Sequence, residues 1–198
     1  SGGGTDVSDQ RTISSWEPRV GDTLHVDVSS NVGYLIHDDG EVLIFPVVTG
    51  QKRYVSYIGR YYFAATPVAD WVVRSVDIKD DRVTFGKTGR FFRLYQGEES
   101  TSYGIHGYDS EEWMFREGER YRSMGCIIVR EEILDIIEKT YEINAANLSV
   151  STRSGIVFGE SQQIHIDVRP TKETVEKAFN VIDYYSEAFS SVFSGEDF

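Results

Sequence analysis

The sequence predicts a mainly β domain with one helix late in it, then a further strand and helix at the C-terminus. Three observations carry this. β-favouring residues alternate with turn signals up to about residue 105, a helical period first appears after residue 126, and strand patterning returns before a final amphipathic stretch.

In chain order, "TLHVDVSSNVGYLIHDDGEVLIFPVVTG" reads as strand, turn, strand, turn, strand, with the turns at "SSN" and "DDG", and opens a β-meander. "YIGRYYFAATPV", "WVVRSVDI" and "RVTFGKTGRFFRLYQ" repeat the habit, with aromatics at strand spacing and Gly/Asp punctuation. "REEILDIIEKTYEI" then places Ile133, Ile136, Ile137 and Tyr141 on one helical face. "NLSVSTRSGIVFG" and "QQIHIDVRP" return to strands. "TKETVEKAFNVIDYYSEAFSSVF" reads as a helix capped by Thr171 after Pro170, its acidic residues spaced as a solvated face. No internal repeat is visible.

The 198 residues suffice for one large domain, and 40% hydrophobic content fits a folded globular chain. With 20 Lys+Arg against 32 Asp+Glu the formal charge is −12, which argues against a nucleic-acid surface or an anionic-membrane patch as the main role. A single cysteine excludes an internal disulfide and a Cys-clustered zinc site, and leaves a reactive thiol open. The opening "SGGGTDVSDQ" is small and polar, without a basic region followed by an apolar core, and no segment has the apolar length to span a bilayer. The chain is then either cytosolic or trimmed of an export signal, and a first residue other than Met favours trimming.

The lone Cys126 lies on a Ser-Met-Gly-Cys turn before an apolar run, where it is either a small buried hydrophobe or a nucleophile. A nucleophile needs a base. His25, His37 and His165 read as structural, the last on the polar face of a late strand. His106, in "TSYGIHGYDS", ends a short apolar pair at a strand terminus, where its side chain can lean over a neighbouring loop. The intervening "GYDSEEWMFREGERYRSMG" is polar and turn-rich enough to fold back as a loop.

"IHG" followed some twenty residues later by "SMGCI" and then a helix resembles the signature of the L,D-transpeptidase catalytic domain, a His, a spacer, then Ser/Thr-His-Gly-Cys. Upstream, "HVDVSSNVGYLIHDDGEVLIFPVVTG" resembles that family's opening hairpin running into a "PV.TG" segment, and "SYIGRYYF" lies where the family carries Thr-Pro-x-Gly-x-Phe. The resemblance covers roughly residues 22 to 153. It implies a β-rich sandwich or barrel with a helix after the catalytic cysteine. The expected organisation is a flexible N-terminal segment over 1–21, the catalytic domain over 22–153 and an extension over 154–198 packed on it.

The resemblance implies that Cys126 is the acylated nucleophile, His106 its general base, and Gly107 the residue whose carbonyl orients the imidazole. Ser123 and Gly125 fit the turn. The Gly125 and Cys126 amides, at a helix start, are expected to stabilise a thiolate and an oxyanion. Arg116, Arg120 and Arg122 in the spacer are candidate cations for a stem carboxylate or a solvated loop face, and Tyr103, Tyr108, Trp113 and Tyr121 are candidate walls or core. The implied reaction is two-step acyl transfer on peptidoglycan stem peptides, with no metal or organic cofactor and a stem amine or an envelope-protein amine as acceptor. Water as acceptor would make an L,D-carboxypeptidase or amidase. Met124 in place of the second motif histidine and Ile128 in place of a polar residue would suit a non-catalytic wall-binding chain. The implied location is extracytoplasmic, periplasm or cell wall.

Overall fold

The computed structural model describes residues 16–155 and 164–166. Its centre is a curled nine-stranded sheet built from β1 (Thr23–Asp27), β2 (Val32–Ile36), β3 (Val42–Pro46), β7 (Ala69–Ile78), β8 (Arg90–Gln96), β9 (Glu99–His106), β11 (Ile127–Ile128), β12 (Leu148–Arg153) and β13 (Ile164–Ile166). The spatial order is β11-β9-β8-β7-β12-β1-β2-β3-β13. Two small sheets lie outside it. β4 (Thr49–Gly50) pairs in parallel with β10 (Tyr121–Ser123), and β5 (Tyr54–Tyr57) forms an antiparallel hairpin with β6 (Arg60–Phe63). The fold is thus mostly β, a half-barrel with few helices, as expected.

The opening meander forms where it is expected, with Leu24 opposite Leu35 and Leu35 opposite Leu43. One face of the sheet closes over α2 (Glu131–Ile143), which buries Ile133, Leu134 and Ile137 against Leu24, Phe92, Ile105 and Ile127. This is a 3.6-period apolar stripe docking on period-2 strands. Arg90 at the start of β8 clamps the polar side of the helix through Glu131, Asp135 and Glu138 at 2.8, 2.9 and 2.7 Å. Core packing begins at Trp16, whose indole stacks on His37 at 3.7 Å.

Two segments differ from the expectation. "RVTFGKTG" does not extend the strand that follows it. The Asp81 carboxylate accepts the Val83 and Thr84 amides at 3.1 and 3.0 Å, Arg82 donates to the Lys87 carbonyl, and these local bonds win over sheet pairing. The spacer before Cys126 is more ordered than a loop, with the single-turn helix α1 (Glu111–Met114) and β10. The strand expected in "QQIHIDVRP" is present as β13, paired with β3, whereas the final helix and its Thr171 cap lie outside the described residues. No helix among the described residues is long and apolar enough to cross a membrane.

Candidate active site

His106 ends β9. Its register partners are Phe91 on β8 and Ile128 on β11, while Ile105 pairs with Phe92 and Ile127, all three of which belong to the core. Side chains alternate along strands, so His106, Gly104, Phe91, Arg93 and Ile128 face away from that core, and Cys126, one residue before β11, falls on their side. Cys126 thereby sits beside Gly104, two residues along from His106, or about 7 Å at strand rise. The structure brings the thiol and the imidazole to neighbouring strands on one face.

His106 is buried, with Nδ1 2.6 Å from the Gly107 carbonyl. A carbonyl only accepts, so Nδ1 carries the hydrogen and Nε2 is the basic nitrogen. Phe91 stacks against the ring at 5.9 Å and Phe85 tilts over it at 4.9 Å. Burial among them lowers the imidazole pKa to about 4, against which the Gly107 hydrogen bond acts in the raising direction. Burial pushes the Cys126 thiol up to about 11, while the Gly104 amide, Arg93 and Lys79 pull it down by less. The resting pair at neutral pH is therefore thiol and neutral imidazole, and the thiol points to the Ser102 carbonyl at 3.9 Å.

The turn that carries the cysteine is held from both ends. Gly125 has φ +125°, a conformation that favours glycine, and a Cβ there would lie 2.9 Å from the Tyr103 ring. The Ser123 hydroxyl donates to the Cys126 carbonyl at 2.5 Å and accepts the Gly125 amide at 3.1 Å. That last bond corrects the expectation that the Gly125 amide is free for an oxyanion. The expectation of a helix start is corrected too, because β11 separates Cys126 from α2 and no helix N-terminus lies at the sulfur.

Of the candidate substrate contacts, Arg120 is turned inward. It is 1% exposed and donates to the Val47 and Asn31 carbonyls at 3.0 and 2.6 Å, so it braces β10 and is out of reach of a ligand. Arg122 caps the spacer, donating to the carbonyls of Met114, Arg116 and Glu117, with its pKa lowered by burial and by Arg116. Trp113 lies against Tyr108 at 6.5 Å, and Arg116 stacks on Trp113 at 4.1 Å. Tyr108 packs on the small cluster of Val48, Met114, Phe115 and Ile128, and Tyr121 lies under Lys52. Tyr103 does flank the turn, and its hydroxyl pKa is raised by burial and by Cys126.

Several neighbours were not singled out from sequence. Tyr62 donates to the Met124 carbonyl at 2.8 Å, Thr66 to the Gly125 carbonyl at 2.8 Å, and Gln51 reaches the Met124 sulfur at 3.3 Å. All three come from the segment between β4 and β7, which the aromatic spacing of "RYYF" and the likeness of "SYIGRYYF" to a family motif signalled without singling out these residues. Glu131 is also new. One carboxylate oxygen accepts from Arg90 and Thr88, and the other is wedged where a Cβ on Gly107 would lie 2.5 Å away. The described residues hold no group of three or more His, Cys, Asp or Glu able to bind a metal.

A curled sheet that carries a thiol and a buried imidazole on adjacent strands of one face defines a β-rich domain of the cysteine–histidine class. The family model of the L,D-transpeptidase catalytic domain (YkuD) matches residues 21–152, and the chain belongs to that family, which acts on peptidoglycan. None of the curated proteins matches the chain. Among solved structures it is similar to an L,D-transpeptidase from Xylanimonas cellulosilytica, at 19% identity and TM-score 0.49, over 70% of this chain and 63% of that one. It is similar to Bd1075 of Bdellovibrio bacteriovorus, at 11% identity and TM-score 0.49, over 85% and 56%. It is likewise similar to the helical cell shape determining protein Pgp2 of Campylobacter jejuni, at 13% identity and TM-score 0.45, over 69% and 49%. The chain thus spans less than two thirds of the length of each of these three.

Proposed function

We propose that the chain is a peptidoglycan L,D-transpeptidase working outside the cytoplasm, with Cys126 as nucleophile and His106 as base. The observation that carries this reading is the pinned imidazole, whose Nδ1 is held by Gly107 at 2.6 Å so that Nε2 is left basic on the thiol's face. Proton transfer within the resting pair is uphill, given a thiol near 11 and an imidazole near 4, so it accompanies attack. The sulfur bonds to the carbonyl carbon of the stem residue with the L-centre as its proton passes to Nε2. The C–N bond to the D-residue then breaks, the leaving amine takes that proton, and a thioester remains. An acceptor amine, from a stem or an envelope protein, attacks the thioester and the thiol is restored. With the Gly125 amide tied to Ser123, the Cys126 amide is the remaining donor of the turn for the oxyanion.

A second reading, a wall-binding chain without turnover, draws on Met124 at the motif position and on the raised thiol. Intact-protein mass after exposure to a stem tetrapeptide or a thiol-directed carbapenem separates the two. One adduct is expected on the wild type and none on Cys126→Ala. Equal labelling of both, or of neither, overturns the transferase reading.

A further inference from the structure

Behind His106 lies a carboxylate that the proposed chemistry does not use. Glu131 opens α2, is 6% exposed, and is anchored at both ends. Its amide donates to the Glu111 carboxylate at 3.0 Å, and its Oε2 accepts from Thr88 at 2.9 Å and from Arg90 at 2.8 Å. Oε1 is different. It is buried and meets no hydrogen-bond donor among the described residues. A buried acceptor without a donor is costly, so a fold rarely keeps one without a use for the place it occupies.

That place is defined by two glycines from separate segments. A Cβ on Gly107 would lie 2.5 Å from Oε1, and a Cβ on Gly86, in the turn between β7 and β8, would lie 2.6 Å from it. Neither residue can carry a side chain while the oxygen stays. The Cβ site of Gly86 is also 3.0 Å from the Gly107 carbonyl carbon and 3.0 Å from the Tyr108 nitrogen, so Gly86 and Oε1 flank the peptide that joins residues 107 and 108. The same turn lays Phe85 over His106 at 4.9 Å and holds the Asp109 amide on the Val83 carbonyl at 3.0 Å. The flanked peptide carries the carbonyl that receives Nδ1–H of His106 at 2.6 Å. Because a peptide is planar, fixing its neighbours fixes the direction of that carbonyl. The imidazole bonds to Gly107 and not to Glu131, so the hold of the carboxylate on the ring runs through this peptide.

We infer that Glu131 is a positioning residue for His106: its Oε1, lodged between Gly86 and Gly107, keeps the Gly107 carbonyl on Nδ1 and so holds the imidazole in the tautomer with Nε2 basic. The catalytic consequence rests on the acyl-transfer reading, whereas the tautomer itself does not. What acts is the length of the side chain, which carries the oxygen to the peptide, with Thr88 and Arg90 as its anchor. An aspartate at this position keeps the charge and withdraws the oxygen by one methylene. A glutamine keeps the length and removes the charge.

The test reads the His106 tautomer by nitrogen NMR of ring-labelled histidine at neutral pH, with His106→Gln assigning the signal. Wild type and Glu131→Gln are expected to show the Nδ1–H form as dominant. In Glu131→Asp the ratio of Nδ1–H to Nε2–H is expected to fall about tenfold, the scale of one hydrogen bond's hold. Acylation by a thiol-directed carbapenem, followed by intact mass, is expected to slow about tenfold in parallel. Glu138→Gln loosens Arg90 at another point of its clamp without touching Gly107, and is expected to lower stability while leaving both readings at their wild-type values. Thr88→Val, which frees Oε2 on one side, is expected to shift the ratio about threefold in the same direction as the aspartate, and takes its place if Glu131→Asp does not fold. A ratio unchanged in the variant that withdraws or loosens the oxygen, lost in Glu131→Gln, or lost equally in Glu138→Gln overturns the inference. A tautomer shift in Glu131→Asp with no adduct on the wild type supports the positioning role and overturns only the transferase reading.

Discussion

The two sides of the Cys126 turn are built on opposite plans. On one side β8, β9 and β11 form a wall whose inner residues Phe92, Ile105 and Ile127 are at most 1% exposed and whose outer face presents His106. On the other, the β5–β6 hairpin turns its aromatics to solvent, with Tyr61 74% and Tyr54 63% exposed, and touches the turn through Tyr62. Within the hairpin Tyr54 stacks on Tyr61 and meets Phe63 edge-on, both at 5.3 Å. Position is thus fixed by the side that is buried, and the turn is approached by the side that can move, since a lone two-stranded hairpin is marginal in water.

The contrast breaks most visibly in the wall. Phe92→Ala empties a fully buried ring site and is expected to cost about 3–5 kcal/mol, read by denaturant unfolding. A loss below about 1 kcal/mol would mean the wall is not the rigid side.

The next effect is a pH dependence. His106 titrates near 4 in the fold and near 6.5 unfolded, so between these values the unfolded chain binds the extra proton and stability falls as pH is lowered through that window. The loss amounts to about 3 kcal/mol by pH 4 and levels off below it, where both states become protonated. Measured as unfolding free energy against pH, this slope is expected to be absent in His106→Gln. A variant that keeps the full slope would assign it elsewhere.

The smallest effects belong to the hairpin and sharpen the comparison. Tyr62→Phe removes one hydrogen bond to the Met124 carbonyl and is expected to slow acylation by up to about tenfold at a stability cost of about 1 kcal/mol. Tyr61→Ala, on the outward face, is expected to change stability by about 0.5 kcal/mol or less. If Tyr61→Ala costs as much as Phe92→Ala, the hairpin is part of the core in solution.

Strand alternation made the opening meander legible, and a 3.6-period stripe made α2 legible, because both patterns are local. The Cys126 and His106 pair was singled out by the resemblance of "IHG" and "SMGC" to a family signature, since spacing by itself left the pairing open. Arg120 was not: within "GERYRS" it reads as a loop cation, and only the fold brings the Asn31 and Val47 carbonyls to it. Tyr62 and Glu131 escaped for the same reason, since their partners Met124 and Arg90 lie 62 and 41 residues away in sequence. The turns of "RVTFGKTG" were hidden by apolar residues that mimic strand spacing while Asp81 bonds the local backbone.

Trp16 has a practical consequence for anyone who shortens this chain. The family match begins at residue 21, yet the indole five positions earlier covers His37, whose imidazole is hydrogen-bonded at 2.5 Å to a fully buried Asp22 side chain. A fragment cut to the matched boundary would keep every residue of the candidate active site and unroof this buried hydrogen bond beside the opening hairpin. The foldable unit and the recognisable unit start at different residues, and the former is the one to express.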